Sequence, residues 1–190
     1  MSSLSERSQI MFFSNSKHTY PGTGASESLS NEDRESGVFD ALNELVDFRK
    51  KMSNFWPVEE GFLCRARRWR TVEHCFQGAK FEQEAPEYAA QFALDSGSAL
   101  SRGSGGDARR AGGRKAHPLS QEELARWDVR KWQVMKEALY AKYSQVAELR
   151  EILLATEDAE LLHRPPRSKL VTEHGLMAVR ARIREEMQEA

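Results

Sequence analysis

The sequence predicts a mainly α, single-domain protein with little or no β-strand, spanning residues 10–187 behind a polar, disordered tail at 1–9. Three observations carry that expectation. Apolar residues recur at helical spacing over 37–51, 146–155 and 173–189. Two further helix starts are marked by capping residues, Thr71 and the Ser120-Gln121-Glu122-Glu123 box. Only one short apolar run, Ile10 to Phe13, is a candidate strand.

Taken in order, residues 14–36 are rich in Ser, Gly, Asn and acids and read as a long loop. Val38, Leu42, Leu45 and Val46 then fall on one helical face, which predicts a helix over 37–51. Pro57 pushes Trp56 into an extended conformation and closes that segment. Thr71 caps a helix running to Gln83, with Glu73 in the first turn, where the helix dipole favours an acid. Tyr88 to Leu94 adds a turn or two. Residues 96–118 hold six glycines with Arg102, Arg109, Arg110 and Arg114, and read as a mobile basic loop. The capping box at Ser120 opens a helix to Tyr143. Leu149, Ile152 and Leu153 point inward from the next one. Pro165-Pro166 falls in a loop, and Leu176, Met177, Val179, Ile183 and Met187 give the last helix its apolar stripe.

Composition excludes several function classes. At 190 residues the chain is long enough to bury a core without staples, and 39% hydrophobic content with 9% aromatics argues against pervasive disorder. Lys and Arg number 28 against 29 Asp and Glu, so this is not a globally basic nucleic-acid coat protein, although local basic patches remain. No apolar run approaches the roughly 20 residues of a membrane helix, and the polar start has no signal-peptide core. Cys64 and Cys75 lack CxxC spacing and the partners of a zinc site, so reduced thiols in a cytoplasmic, or in a eukaryote nuclear, setting are expected. Nothing in the spacing suggests metal ligands.

The richest stretch is Trp69-Arg70-Thr71-Val72-Glu73-His74-Cys75-Phe76-Gln77-Gly78-Ala79-Lys80-Phe81. At about 100° per residue, Glu73, Gln77 and Lys80 share one helix face while Val72, Phe76 and Ala79 share another. The second face is core. The first is either a solvated polar face or the wall of a site, in which a carboxylate moves protons, an amide orients and a lysine in a partly buried pocket becomes nucleophilic. Cys75 has no His–acid pair arranged around it and is expected to be buried, not a nucleophile.

The run Trp69-x-Thr71-x-Glu73-His74-x-Phe76-Gln77-x-x-Lys80-Phe81 resembles the signature of the NADAR superfamily, the YbiA-like domains associated with NAD and ADP-ribose. Further pieces follow in that family's order: Phe12-Phe13-Ser14, then Ser53-Asn54-Phe55. After the signature come Trp127-x-x-x-Lys131-x-x-Val134-Met135 with Ala138-Leu139 and Lys142-Tyr143, and Leu153-Leu154-x-Thr156-x-x-Ala159-x-Leu161 with Leu176-Met177-x-x-Arg180. Two departures stand out. An insertion separates Ser14 from Ser53, and a D-x-x-W-G segment of the family is replaced by Leu162-His163-Arg164-Pro165-Pro166-Arg167-Ser168-Lys169.

The resemblance implies an N-glycoside hydrolase of YbiA-like fold that needs no metal and no cofactor. One branch of the family removes ADP-ribose from the amino group of guanine in nucleic acid, which is the expectation here. A glycosidase acting on riboflavin-pathway intermediates and a non-catalytic ADP-ribose or NAD module are the alternatives. It further implies Glu73 as acid/base, Lys80 as the amine that captures the opened ribose, and Trp127 flanking a ring. Ser14, Asn54, His74, Gln77 and Lys131 are then ligand-binding candidates. His163 and Arg164, with Arg167 or Lys169, stand in for the missing segment. A structural role is the plainer reading of His74, and a helix core the plainer reading of Trp127 and Trp132. Arg65, Arg67, Arg68, Arg70 and the 102–115 segment are available for a diphosphate or a nucleic-acid backbone. The protein is expected to act as a monomer.

Overall fold

The computed structural model describes residues 7–164 and 169–189, in two compact units: one formed by the chain up to Ser53 together with the segment from Ala147 onward, the other by Asn54–Val146. The expectation of an essentially strand-free fold is corrected: the architecture is α/β, with two sheets.

In the first unit, β1 (Gln9–Phe12), β4 (Glu160–His163) and β5 (Val171–Thr172) form a mixed sheet in the order β1-β4-β5. β1 runs parallel to β4 with Ile10 opposite Leu161 and Phe12 opposite His163, and β5 closes antiparallel on β4. The inward set Ile10, Phe12, Leu161 and Leu162 is buried. The sheet begins inside the segment expected to be a disordered tail: Gln9 is its first residue and Ser8 is buried.

The 14–36 segment is not simply a loop, because Ser30 caps α1 (Asn31–Ser36) and Gly37, at φ 65°, ends it. The single helix expected over 37–51 is two short ones, α2 (Asp40–Glu44) and α3 (Phe48–Lys51). The break is at Asp47, held at φ 60° in the left-handed region that interrupts a helix. Glu27 ties the insertion down. Its buried carboxylate accepts from the backbone N–H of Met11, Gly22 and Gly24 and from both Nε and Nη2 of buried Arg49, so that neither charge is left uncompensated. Helices α8 (Ala147–Ala155) and α9 (His174–Glu189) complete this unit.

The second unit opens with the hairpin β2 (Phe62–Cys64) and β3 (Arg67–Trp69), turned through Arg65 and Ala66 at φ 52° and 59°, the double positive-φ geometry of a tight hairpin. Thr71 then caps α4 (Val72–Phe81) by accepting from the His74 N–H, as its position predicted. A short α5 (Pro86–Ala90) and a 3₁₀ turn at Leu94–Ser96 follow. The 96–118 segment expected as a loop holds a capped helix, α6 (Gly105–Ala111), started by a reciprocal Ser104–Asp107 capping box. The long α7 (Gln121–Gln145) begins at the Ser120–Glu123 box.

The core of this unit forms where α4 meets α7: Phe76 and Ala79 pack on Trp127 and Val134, with the Phe76 and Trp127 rings edge-on at 4.9 Å. Trp132, one turn and a half further, is 68% exposed, so the two tryptophans of α7 have opposite environments. Among the described residues, no helix is long and apolar enough to cross a membrane.

Candidate functional site

The helical phase that separated two faces of α4 is the phase observed. One face, through Phe76 and Ala79, meets α7; the other carries Glu73, Gln77 and Lys80 toward α6 and the residue that ends it, Gly112. That polar face is not a solvated one. Glu73 is 8% and Gln77 9% exposed. Gln77 Nε2 donates to Glu73 Oε1 at 2.8 Å, and Lys80 Nζ donates to the Gly112 carbonyl at 2.8 Å. The backbone N–H of Glu73 donates to the Asn54 carbonyl at 3.1 Å, and the Asn54 amide reaches the Met135 sulfur on α7, so Asn54 is built into the N-terminal end of the same helix.

Burial sets the electrostatics of this line of side chains. It raises the Glu73 carboxyl above the ordinary glutamate value, opposed by the Gln77 hydrogen bond and by the Arg109 guanidinium on α6. Burial also lowers the Lys80 ammonium, which makes the neutral amine more accessible. A carboxylic acid that keeps its proton more readily, two turns from an amine that gives one up more readily, is the pairing that acid-assisted nucleophilic chemistry needs.

The remaining candidates of this unit sit differently. His74 is fully buried with both ring nitrogens engaged, Nδ1 with Thr71 Oγ1 at 2.8 Å and Nε2 with the Leu100 carbonyl at 3.0 Å. Burial holds its pKa below the usual histidine value. Trp127 is buried with the Arg130 guanidinium 5.0 Å from its ring centre, and Lys131 pairs with Asp128 at 2.7 Å on α7. The arginines flanking the signature are engaged within the unit: Arg65 with Glu82 and Glu137, Arg68 with the Glu60 carbonyl, Arg70 with Glu59 and the carbonyls of Arg102 and Gly103.

Ser14, His163 and Arg164 belong to the first unit, where the parallel pairing of β1 and β4 brings them to one edge. All three lie at or just past the carboxyl ends of those strands, the edge at which open α/β sheets receive ligands. His163 stacks on Phe12 at 5.2 Å and its Nδ1 lies 3.2 Å from Glu173 Oε1, while Arg164 donates to Ser26 Oγ at 3.0 Å. At the same edge the buried hydroxyl of Ser16 has no hydrogen-bond partner among the described residues. Arg167 lies outside the described residues, and Lys169 is exposed.

Three participants were not legible in the sequence. Arg109 was one of a run of arginines with nothing to single it out, and Ser16 was one serine in a serine-rich stretch. Gly112 acts by what it lacks: a Cβ there would fall 1.9 Å from Gln77 Oε1. Its backbone, at φ −72°, suits any residue, so the glycine is required by the neighbour and not by the turn. Gly112→Ala is therefore expected to push Gln77 off Glu73 and to lower the unfolding free energy by about 1–3 kcal/mol. Urea unfolding checks this. Adding Gln77→Ala should recover most of the loss, since it removes the clash, whereas additive losses in the double variant would contradict the contact.

Residues 39–171 match the model of the NADAR domain. The N-glycosidase YbiA of Escherichia coli (strain K12) is 37% identical over 112 residues, covering 58% of this chain and 59% of that protein. The N-glycosidase Npun_R5314 of Nostoc punctiforme is 33% identical over 120 residues, covering 60% and 65%. The chain thus spans about three fifths of the length of the curated relatives it matches. Among solved structures, the NMR structure of E. coli YbiA superposes with a TM-score of 0.57 at 30% identity, covering 77% of this chain and 84% of that one.

Proposed function

The chain belongs to the NADAR family, and on that premise we propose that it is an N-glycosidase that removes ADP-ribose from the amino group of guanine in DNA or RNA. The observation that supports this reading most is the buried, hydrogen-bonded line Glu73–Gln77 with Lys80 beyond it on one face of α4. Cutting a bond between an anomeric carbon and an amino nitrogen requires a proton for a poor leaving group and a partner for the electron-poor sugar carbon.

In this reading the Lys80 nitrogen bonds to the anomeric carbon as a neutral amine. The bond from that carbon to the guanine nitrogen breaks, and the Glu73 proton leaves with guanine. Water then hydrolyses the resulting iminium, releasing ADP-ribose and restoring the lysine. Gln77 holds the Glu73 carboxyl in one orientation, and Asn54 fixes the helix end that carries it. Ser14, His163 and Arg164 serve the ribose and diphosphate from the carboxyl end of the β1–β4 pair.

Incubating the protein with an oligonucleotide carrying ADP-ribosyl-guanine is expected to release free ADP-ribose and restore the unmodified base, read by mass spectrometry. Cleavage of a ribosylated pyrimidine of the riboflavin pathway, with the oligonucleotide untouched, would replace this substrate with that one. Tight ADP-ribose binding by calorimetry with no turnover of either would make the chain a binding module.

A further inference from the structure

Outside the α4 polar face, the two cysteines of the chain come together. Cys64 ends β2 and Cys75 lies on α4, and both are free thiols. The Trp69 indole N–H donates to the Cys64 carbonyl at 2.8 Å, while the Trp69 ring lies against Gly78 so closely that a Cβ there would fall 2.6 Å from it. This anchors the end of β2 beside α4. Cys75 precedes Gly78 by three residues and so shares its face of the helix. The two thiols are hydrogen-bonded to each other. Their surroundings differ: Cys75 is fully buried, whereas Cys64 lines an open, charged cleft with Arg65, Arg67, Glu82 and Glu137.

We propose that Cys64 and Cys75 are an oxidation-sensitive thiol pair, in which Cys64 reacts with a hydroperoxide entering the cleft and Cys75 resolves the product to an intramolecular disulfide. In the first step the Cys64 sulfur attacks the peroxide: an S–O bond forms, the O–O bond breaks, and the leaving oxygen takes up the proton as water or alcohol. The Cys75 sulfur then bonds to the Cys64 sulfur, the S–O bond breaks, and the hydroxide departs as water with the Cys75 proton. Two electrons pass from the thiols to the peroxide. The order of attack follows the environment. Contact with Cys75, aided by Arg65, lowers the Cys64 thiol, and the same contact together with burial pushes Cys75 well up, so the thiolate forms on the cleft side. The resulting bond would tie the hairpin to α4 between Glu73 and Gln77.

The test treats the full-length reduced protein with hydrogen peroxide, blocks remaining thiols with N-ethylmaleimide under denaturing conditions, and measures intact mass and linked peptides. The expected result is a monomer lighter by two hydrogens, with no alkylated cysteine and a 64–75 linked peptide, all reversed by dithiothreitol. Cys75→Ala, with its fold checked by circular dichroism, should instead accumulate a dimedone-reactive sulfenic acid at Cys64, and Cys64→Ala should leave Cys75 alkylatable. Disulfide-linked dimers, a sulfinic acid at Cys64 with Cys75 still alkylatable, two untouched thiols, or oxidation of Cys75 in Cys64→Ala would each overturn the proposal.

Discussion

Glu73→Gln is expected to keep ADP-ribose affinity and lower turnover by about 10²- to 10⁴-fold, the range for removing a positioned general acid. The amide preserves the shape and can still accept from Gln77, but it has no proton to deliver. The same substitution should stabilise the fold near neutral pH. Burial raises the Glu73 carboxyl in the native state, so the native protein binds this proton more tightly than the unfolded chain. The stability that this provides is complete below the ordinary glutamate value, about 4.3, and is lost as pH rises through the raised one. Glutamine never suffers that loss. Thermal unfolding should therefore place the variant above wild type at pH 7, with the difference vanishing toward pH 4. A variant that is inactive and no more stable at either pH would mean that Glu73 serves the fold.

Lys80→Ala is expected to lower turnover by about 10³-fold or more, the scale of losing one central catalytic interaction. Lys80→Arg separates the two roles open to this residue. Arginine keeps the positive charge but is never deprotonated near neutral pH, so it can pair a phosphate and cannot attack carbon. Both variants inactive, with ADP-ribose still bound, is the covalent result. An active Lys80→Arg, or an active Lys80→Ala beside an inactive Glu73→Gln, would assign the chemistry to direct water attack on an oxocarbenium-like centre, with Lys80 a phosphate partner.

The helical half of the fold was legible because its signals are local. Thr71 and Ser120 announce α4 and α7 by side chains that bond within the next turn, and the 3.6-residue period sorts Glu73, Gln77 and Lys80 from Phe76 and Ala79. The sheet was not legible, because its signals are remote and short. β1 has four residues, and its parallel partner β4 lies at the other end of the chain, where Glu160-Leu-Leu-His has no period to distinguish it from helix. α6 was hidden by its own start: Gly105-Gly106 reads as a breaker, and the box that caps it closes on Asp107, not Glu or Gln. Gly105 is nonetheless required, because a Cβ there would fall 2.7 Å from the Phe55 backbone. The candidate site follows the same division. The line of polar side chains could be read from spacing, whereas their burial under α6, the role of Gly112 and the meeting of Cys64 with Cys75 depend on how separate elements pack.

The most direct test is reductive trapping during turnover. Borohydride added while the protein processes an ADP-ribosyl-guanine oligonucleotide should reduce the iminium and leave ADP-ribose covalently attached, and peptide mass spectrometry should find it on Lys80. A trapped adduct there identifies the substrate, the bond cut and the attacking group together, and Lys80→Ala should show none. Free ADP-ribose released at an unchanged rate with no adduct on Lys80, or an adduct on any other residue, would contradict it.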